Sequence, residues 1–355
     1  MEEELKYILL ENFETLSGTK VNKINLSYQV FGKKLGSAPV ILVNHALTGN
    51  SLVSGINGWW SEIIGNEKPI NTNKYSILCF NIPGNGFNEN NFDYDLDFNL
   101  GDIALLFIKA IDELNLPKLH AIIGGSIGGC LTWEMIALKN DLASLIIPVA
   151  ADWKANDWLL ANTFLQDRIL KNSRDPVSDA RIHAMTFYRT PKSLNTRFSR
   201  TKNLDKKMFN VESWLSHHGK KLRQRFSLES YLFMNKLLSS TDITRDGESF
   251  ETKISKITSG ALFRRFSKGS KLSENRLTDQ TVALIIKKYL NLAGINSKHY
   301  SGHSLRSGFA TSAAESGVEE RSIMAMTGHK STEMVRRYIK EANLFKNNAL
   351  NNIKI

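Results

Sequence analysis

The stretch Gly124-Gly125-Ser126-Ile127-Gly128-Gly129 constrains this chain more than any other. It follows the apolar run "LHAII" and opens the helix-like segment "GGCLTWEMIAL", so a strand must turn into a helix through four glycines and one serine. Small residues on both sides of the serine allow a strained strand-to-helix turn. Such a turn exposes the serine hydroxyl, sets a helix N-terminus behind it and lets the Ile127 amide donate to an oxyanion. This is the arrangement of a serine nucleophile.

The surrounding pattern supplies the strands and helices that the turn needs. Up to about Ala151, short β-branched runs ("PVILVNHA", "YSILCFNI", "LHAIIGGS", "SLIIPVAA") alternate with helical patterns such as 102–114. That alternation predicts an α/β architecture, a parallel sheet covered by helices. From 153 to 238 the pattern is mostly helical, strongest in "VESWLSHHGKKLRQRF" and "LESYLFMNKLL", whereas 239–260 is polar and poorly periodic. Beyond it almost every segment reads as helix. A chain of 355 residues has room for two cores, and the break is expected near residue 258, giving domains 1–258 and 259–355.

Charge marks the same division. Residues 259–355 hold 16 Lys/Arg against 7 Asp/Glu, while 1–258 hold 30 against 28. A locally basic domain points to a polyanionic partner, nucleic acid first. Cys79 and Cys130 lie in apolar segments far apart and read as reduced core thiols, with no disulfide framework or zinc site. The acidic start "MEEELKYILL" and the lack of any run of about 18 apolar residues predict a cytoplasmic protein without a membrane span.

Several segments then fall into a family pattern. "NHALTGN", "GWW" followed by "IG", "NTNKYSILCFN", "GGSIGG", "FYRT" and "VESWLSHHGKKLRQRFSLESYLFMNKL" resemble homoserine O-acetyltransferases, in the same order, over nearly all of residues 20–245. The resemblance implies an α/β-hydrolase fold with a helical lid, here about 153–240. It also implies a ping-pong reaction in which acetyl-CoA acylates the serine and homoserine takes the acetyl group. By that resemblance Ser126 is the nucleophile, Leu47 of the "HALTG" loop gives a second oxyanion amide beside Ile127, and Arg189 of "FYRT" holds the amino-acid carboxylate through its planar fork. Acetyl-CoA enters as substrate; no bound cofactor or metal is implied.

The same family places a triad acid and histidine after the lid, on loops following the last two strands. In this chain the polar stretch "STDITRDGESFETKISKITSG" leads elsewhere, and no "GHD"-like histidine follows. His217 and His218 sit on the predicted lid helix, flanked by lysines, and Asp152 past "SLIIPVAA" is the available carboxylate. Without a base, a serine hydroxyl at neutral pH is a poor nucleophile. Loss of the last strands would also leave "SLIIPVAA" at the sheet edge, where self-association is the hazard.

The C-terminal region carries a second constellation. His303 and Arg306 are three apart on one predicted helix and share a face, His329 sits in the turn before another helix, and Tyr338 follows nine residues later. Together with "GALFRRFSKGSKLSENRLTDQTVALIIKKYLNLAGI" and "LFKNNAL", this set resembles the second half of a tyrosine recombinase, or phage integrase, catalytic domain. The resemblance covers about 259–350 and implies DNA as partner. Tyr338 would attack a DNA phosphate, Arg306 would neutralise non-bridging oxygens, His303 would assist proton transfer, and His329 would bind phosphate. The family's first arginine and its β-hairpin lysine have no counterpart upstream, where the lid lies.

The sequence therefore reads as a fusion of an α/β-hydrolase fold missing its last strands with a mostly α-helical partial recombinase domain. Each part keeps its nucleophile and lacks catalytic partners. Two narrower readings stay open: a weak acyltransferase or esterase, and a DNA-binding protein whose N-terminal part is a non-catalytic remnant.

Overall fold

The computed structural model describes residues 4–87, 92–255, 264–267, 271–276, 278–315, 318–327, 331–333 and 336. The chain divides into two compact units, Met1–Thr258 and Ser259–Ile355.

In the first unit the strands are β1 (Lys6–Glu14), β2 (Lys20–Gly32), β3 (Val40–Asn44), the short pair β4 (Ile64–Gly65) and β5 (Ile70–Asn71), β6 (Ser76–Phe80), β7 (Ala121–Gly125) and β8 (Ile146–Val149). Helix α1 (Leu100–Glu113) precedes β7, and α2 (Ile127–Leu138) follows it. Six of these strands form one sheet in the order β1-β2-β6-β3-β7-β8. The first two enter antiparallel, and β6, β3, β7 and β8 run parallel. The long antiparallel pair β1–β2 is additional to the strands expected from the apolar runs.

Every residue of β3 and β6 is buried, as befits parallel strands covered on both faces. Alternation along them divides the core. Leu42, Leu78, Phe80 and Ile122 pack with Leu106, Phe107, Leu131 and Met135 of α1 and α2. Ile41, Val43, Ile77 and Ile123 face the other way, against Val53, Ile64, Trp59 and Trp60. A reciprocal cap starts α1: the Asp102 amide donates to Asn99 Oδ1 at 3.1 Å and the Asn99 amide to Asp102 Oδ2 at 2.9 Å. The other oxygen of Asp102 accepts from the Leu16 amide at 2.7 Å, which ties the helix to the β1–β2 turn.

A helical layer follows: α3 (Asp157–Asn172), α4 (Pro176–Phe187), α5 (Pro191–Phe198), the small hairpin β9 (Lys202–Asn203) and β10 (Met208–Phe209), α6 (Asn210–Arg223) and α7 (Leu228–Ser239). Leu170, Val177, Ala180, Leu222, Tyr231 and Met234 join the core on the α1–α2 side. Among the described residues the sheet ends at β8, whose Val149 is 43% exposed.

The polar stretch after α7 is more ordered than its composition suggests. It contains α8 (Phe250–Ser255), whose Phe250 stacks on Trp153 with ring centroids 4.6 Å apart. Arg245 grips Glu134 of α2 with both terminal nitrogens, at 2.5 and 2.6 Å.

The second unit holds a hairpin, β11 (Arg264–Ser267) and β12 (Lys271–Arg276), then α9 (Asp279–Leu292), α10 (Gly302–Glu315) and α11 (Glu320–Thr327). The hairpin is strand where the sequence reads as helix, and α10 is the predicted helix that carries His303 and Arg306. Ala310, Ala313 and Ala314 of α10 and Ile323 of α11 form a shared core.

Candidate active site

Ser126 stands between β7 and α2 at φ 57°, ψ −126°. That is a conformation L-residues rarely occupy, and strain held at one polar residue is a mark of function. Its amide donates to the Val149 carbonyl at 2.9 Å, and its carbonyl accepts from Gly129 and Cys130 at 2.8 and 3.0 Å. The turn demands glycine at two places. A Cβ on Gly124 would lie 2.1 Å from the Gly128 oxygen, and one on Gly128 would lie 2.2 Å from the Asn44 oxygen. The start of α2 thus presses against the end of β3, a few residues before Leu47.

The half-buried Ser126 hydroxyl has no hydrogen-bond partner among the described residues. The Trp60 ring lies beside Gly125, 3.5 Å from where a Cβ would be. Neither the Leu47 nor the Ile127 amide donates to another group among the described residues. Residues 45–51 are held by a buried polar network: Ser51 donates its amide to Asn81 Oδ1 at 2.7 Å and its hydroxyl to Gln29 Oε1 at 2.7 Å.

His45 anchors the same loop, and sequence reasoning overlooked it. Its Nδ1 lies 2.8 Å from the Ala46 carbonyl, and Nε2 accepts the Ile82 amide at 2.9 Å, so both ring nitrogens are spent on backbone. Burial holds its pKa down to about 4, against the opposing pull of the Ala46 carbonyl. The folded state therefore binds fewer protons than the unfolded chain between pH 6.5 and 4. Stability present above pH 6.5 is lost as pH falls, by about 3 kcal/mol at pH 4. Urea unfolding at pH 7.5 and 4.5 should show a larger loss for the parent than for His45→Gln; equal losses would place the titration elsewhere.

Among the described residues none of the remaining histidines of this unit bonds the serine, and His120 stacks on Tyr75. His218 packs on Trp214 with centroids 4.6 Å apart beside His217, and His183 bonds Gln166 at 2.9 Å. Asp152 is exposed and accepts from the Trp153 amide. Arg189 lies exposed between α4 and α5, its guanidinium 5.7 Å over the Trp214 ring. The guanidinium that the structure brings to the "HALTG" loop is Arg225, which donates to the Thr48 carbonyl at 2.8 Å. In the second unit His303 and Arg306 lie one turn apart on α10. His329 and Tyr338 fall outside the described residues.

A family model described as alpha/beta hydrolase fold matches residues 39–229, more than half the chain. The chain belongs to the alpha/beta hydrolase fold family. As in the expectation for that fold, the matched span runs from β3 through the Ser126 turn into the helical layer. A second model, the phage integrase family, matches residues 177–344. It begins well before the 259 expected from the motifs and shares 177–229 with the alpha/beta hydrolase match. The structure gives the shared stretch to the hydrolase-fold unit, because Val177, Ala180 and Leu222 are in its core.

Homoserine O-acetyltransferase of Methanococcus vannielii is 30% identical, aligned over 71% of this chain and 60% of its own length. The chain thus spans less than two thirds of that relative. The Deferribacter desulfuricans enzyme is 28% identical over 84% of this chain and 90% of its own. Among solved structures, homoserine O-acetyltransferase from Staphylococcus aureus superposes with a TM-score of 0.60 at 28% identity, covering 69% of this chain and 74% of that one. No helix among the described residues is long and apolar enough to cross a membrane, and none of their His, Cys, Asp and Glu side chains cluster as a metal site.

Proposed function

We propose that the chain is a cytoplasmic fusion of an acyltransferase domain that has kept its nucleophile and lost its base with a partial tyrosine-recombinase domain, joined near residue 258. The observation that carries the first half is Ser126 in its strained turn, with no histidine or carboxylate bonded to its hydroxyl among the described residues. In the full reaction Ser126 Oγ attacks the thioester carbonyl of acetyl-CoA, the Leu47 and Ile127 amides hold the oxyanion, and the thiolate leaves. The homoserine hydroxyl then takes the acetyl group from the serine. Each transfer moves a proton off an attacking hydroxyl, and that is the step this site leaves unassisted. Purified protein given acetyl-CoA and homoserine should turn over far below about 1 s⁻¹, the low end for enzymes. A faster rate that disappears in Ser126→Ala would overturn the reading.

The integrase match favours a role for the second unit in DNA binding. There Tyr338 is the nucleophile proposed for phosphate attack, with Arg306, His303 and His329 around the phosphate. The edge strand β8, with Val149 open to solvent, supports self-association of the first unit.

A further inference from the structure

Positive charge in this protein is not confined to the second unit. Residues 181–225 hold 12 Lys/Arg against two Asp/Glu, while the rest of 1–258 holds 18 against 26. A net +10 therefore sits in one stretch of the helical layer, inside a unit that is otherwise acidic. Averaged over 1–258 the two contributions nearly cancel, which is why the excess escapes a domain-level charge count.

The structure shows how these cations are held. Arg189 and Arg197 both stack on Trp214, at 5.7 and 5.3 Å from the ring centroid. Arg200 and Lys202 both stack on Phe209, at 5.8 and 5.6 Å. Among the described residues no carboxylate pairs with any of the four. Glu212, one of the two acids in the stretch, is spent capping α6 by accepting the Phe209 amide at 2.7 Å. Helix α5, which carries Arg197, buries none of its residues. Between α5 and β10 runs a groove of about 410 Å³ lined by Phe198, Arg200, Thr201 and Phe209.

Aromatic faces fix guanidinium groups without neutralising them. Cations held this way, solvent-facing and free of carboxylates, are arranged for an external polyanion rather than for the fold's own stability. Their number and spread along α5 and the β9–β10 hairpin exceed what one small anion engages. They suit a run of phosphates, whose bound counterions are released on contact.

We propose that this basic face of the helical layer, built on Arg189, Arg197, Arg200 and Lys202, binds the phosphate backbone of a polynucleotide. The site is separate from the Ser126 turn and from the DNA contacts proposed for the second unit, so either of those readings can fail without it.

The test uses the full chain and a fluorescein-labelled 30-base DNA, single-stranded and duplex, in anisotropy titrations across 50–200 mM salt. The combined variant Arg189→Ala, Arg197→Ala, Arg200→Ala and Lys202→Ala should bind at least about tenfold more weakly at 100 mM salt. Its log K against log salt slope should be shallower by about 3, at about 0.7–0.9 for each of the four lost phosphate contacts. Replacing the three arginines with lysine instead should keep most of the slope, and tryptophan fluorescence on urea unfolding verifies that both variants are folded. Parent and alanine variant with the same affinity and slope would overturn the proposal. So would coenzyme A binding that is lost in the alanine variant while neither DNA binds the parent.

Discussion

Arg245→Met is expected to destabilise the first unit by about 3–5 kcal/mol, because it strands the carboxylate of Glu134 in the interior. The Glu134 side chain is only 1% exposed, and both its oxygens bond the guanidinium, at 2.5 and 2.6 Å. The Asp242 amide adds a third bond at 3.0 Å, so the carboxylate is fully committed while ionised. Removing a buried ion pair together costs less than removing one partner, since no charge is left uncompensated. The double variant Glu134→Leu, Arg245→Met should therefore unfold at higher urea than Arg245→Met alone. All six tryptophans precede residue 258, so their fluorescence reports this unit without interference from the second. A single variant as stable as the parent would show that the pair is solvated and inessential.

Gly128→Ala is expected to cost about 3 kcal/mol or more, at the upper end of what overpacking does. The added carbon would meet main-chain oxygens of Asn44 and His45, at 2.2 and 2.6 Å, and neither can swing aside as a side-chain end could. Within the same motif Gly125 offers a control: its nearest neighbour would be Trp60 at 3.5 Å, an ordinary contact. Gly125→Ala should stay within about 1 kcal/mol of the parent, since no overpacking accompanies it. Equal midpoints for the two variants would mean that α2 can shift away from β3, and that the turn is not clamped between them.

Much of this was legible in the amino acids and some of it was not, for reasons that differ residue by residue. The parallel strands announce themselves because both faces are covered, so runs such as 40–43 are apolar throughout. Ser126 is found because a strained turn needs glycine neighbours in adjacent positions. The β1–β2 pair shows no unbroken apolar run: Ile24, Leu26 and Tyr28 repeat at every second residue, with the polar Asn25, Ser27 and Gln29 between and after them. His45 carries no local mark, since its partners Ile82 and Asn85 lie more than 35 residues away. The stretch after α7 has no period because pairings hold it in place: Arg245 to Glu134, and Lys253 to Asp246 and Glu248. Arg225 stands in a run of basic residues, and its reach to the Thr48 carbonyl leaves no mark in the sequence.

That stretch has one more property. Its ties to the rest of the first unit run backward along the chain: Ile243 to the Trp153 carbonyl, the Thr241 carbonyl to Ala155, Lys154 to Asp242, and Phe250 to Trp133 and Trp153. A ribosome that has passed Ser255 has already made each of these partners. These pairings can then form before any of residues 259–355 has left the exit tunnel.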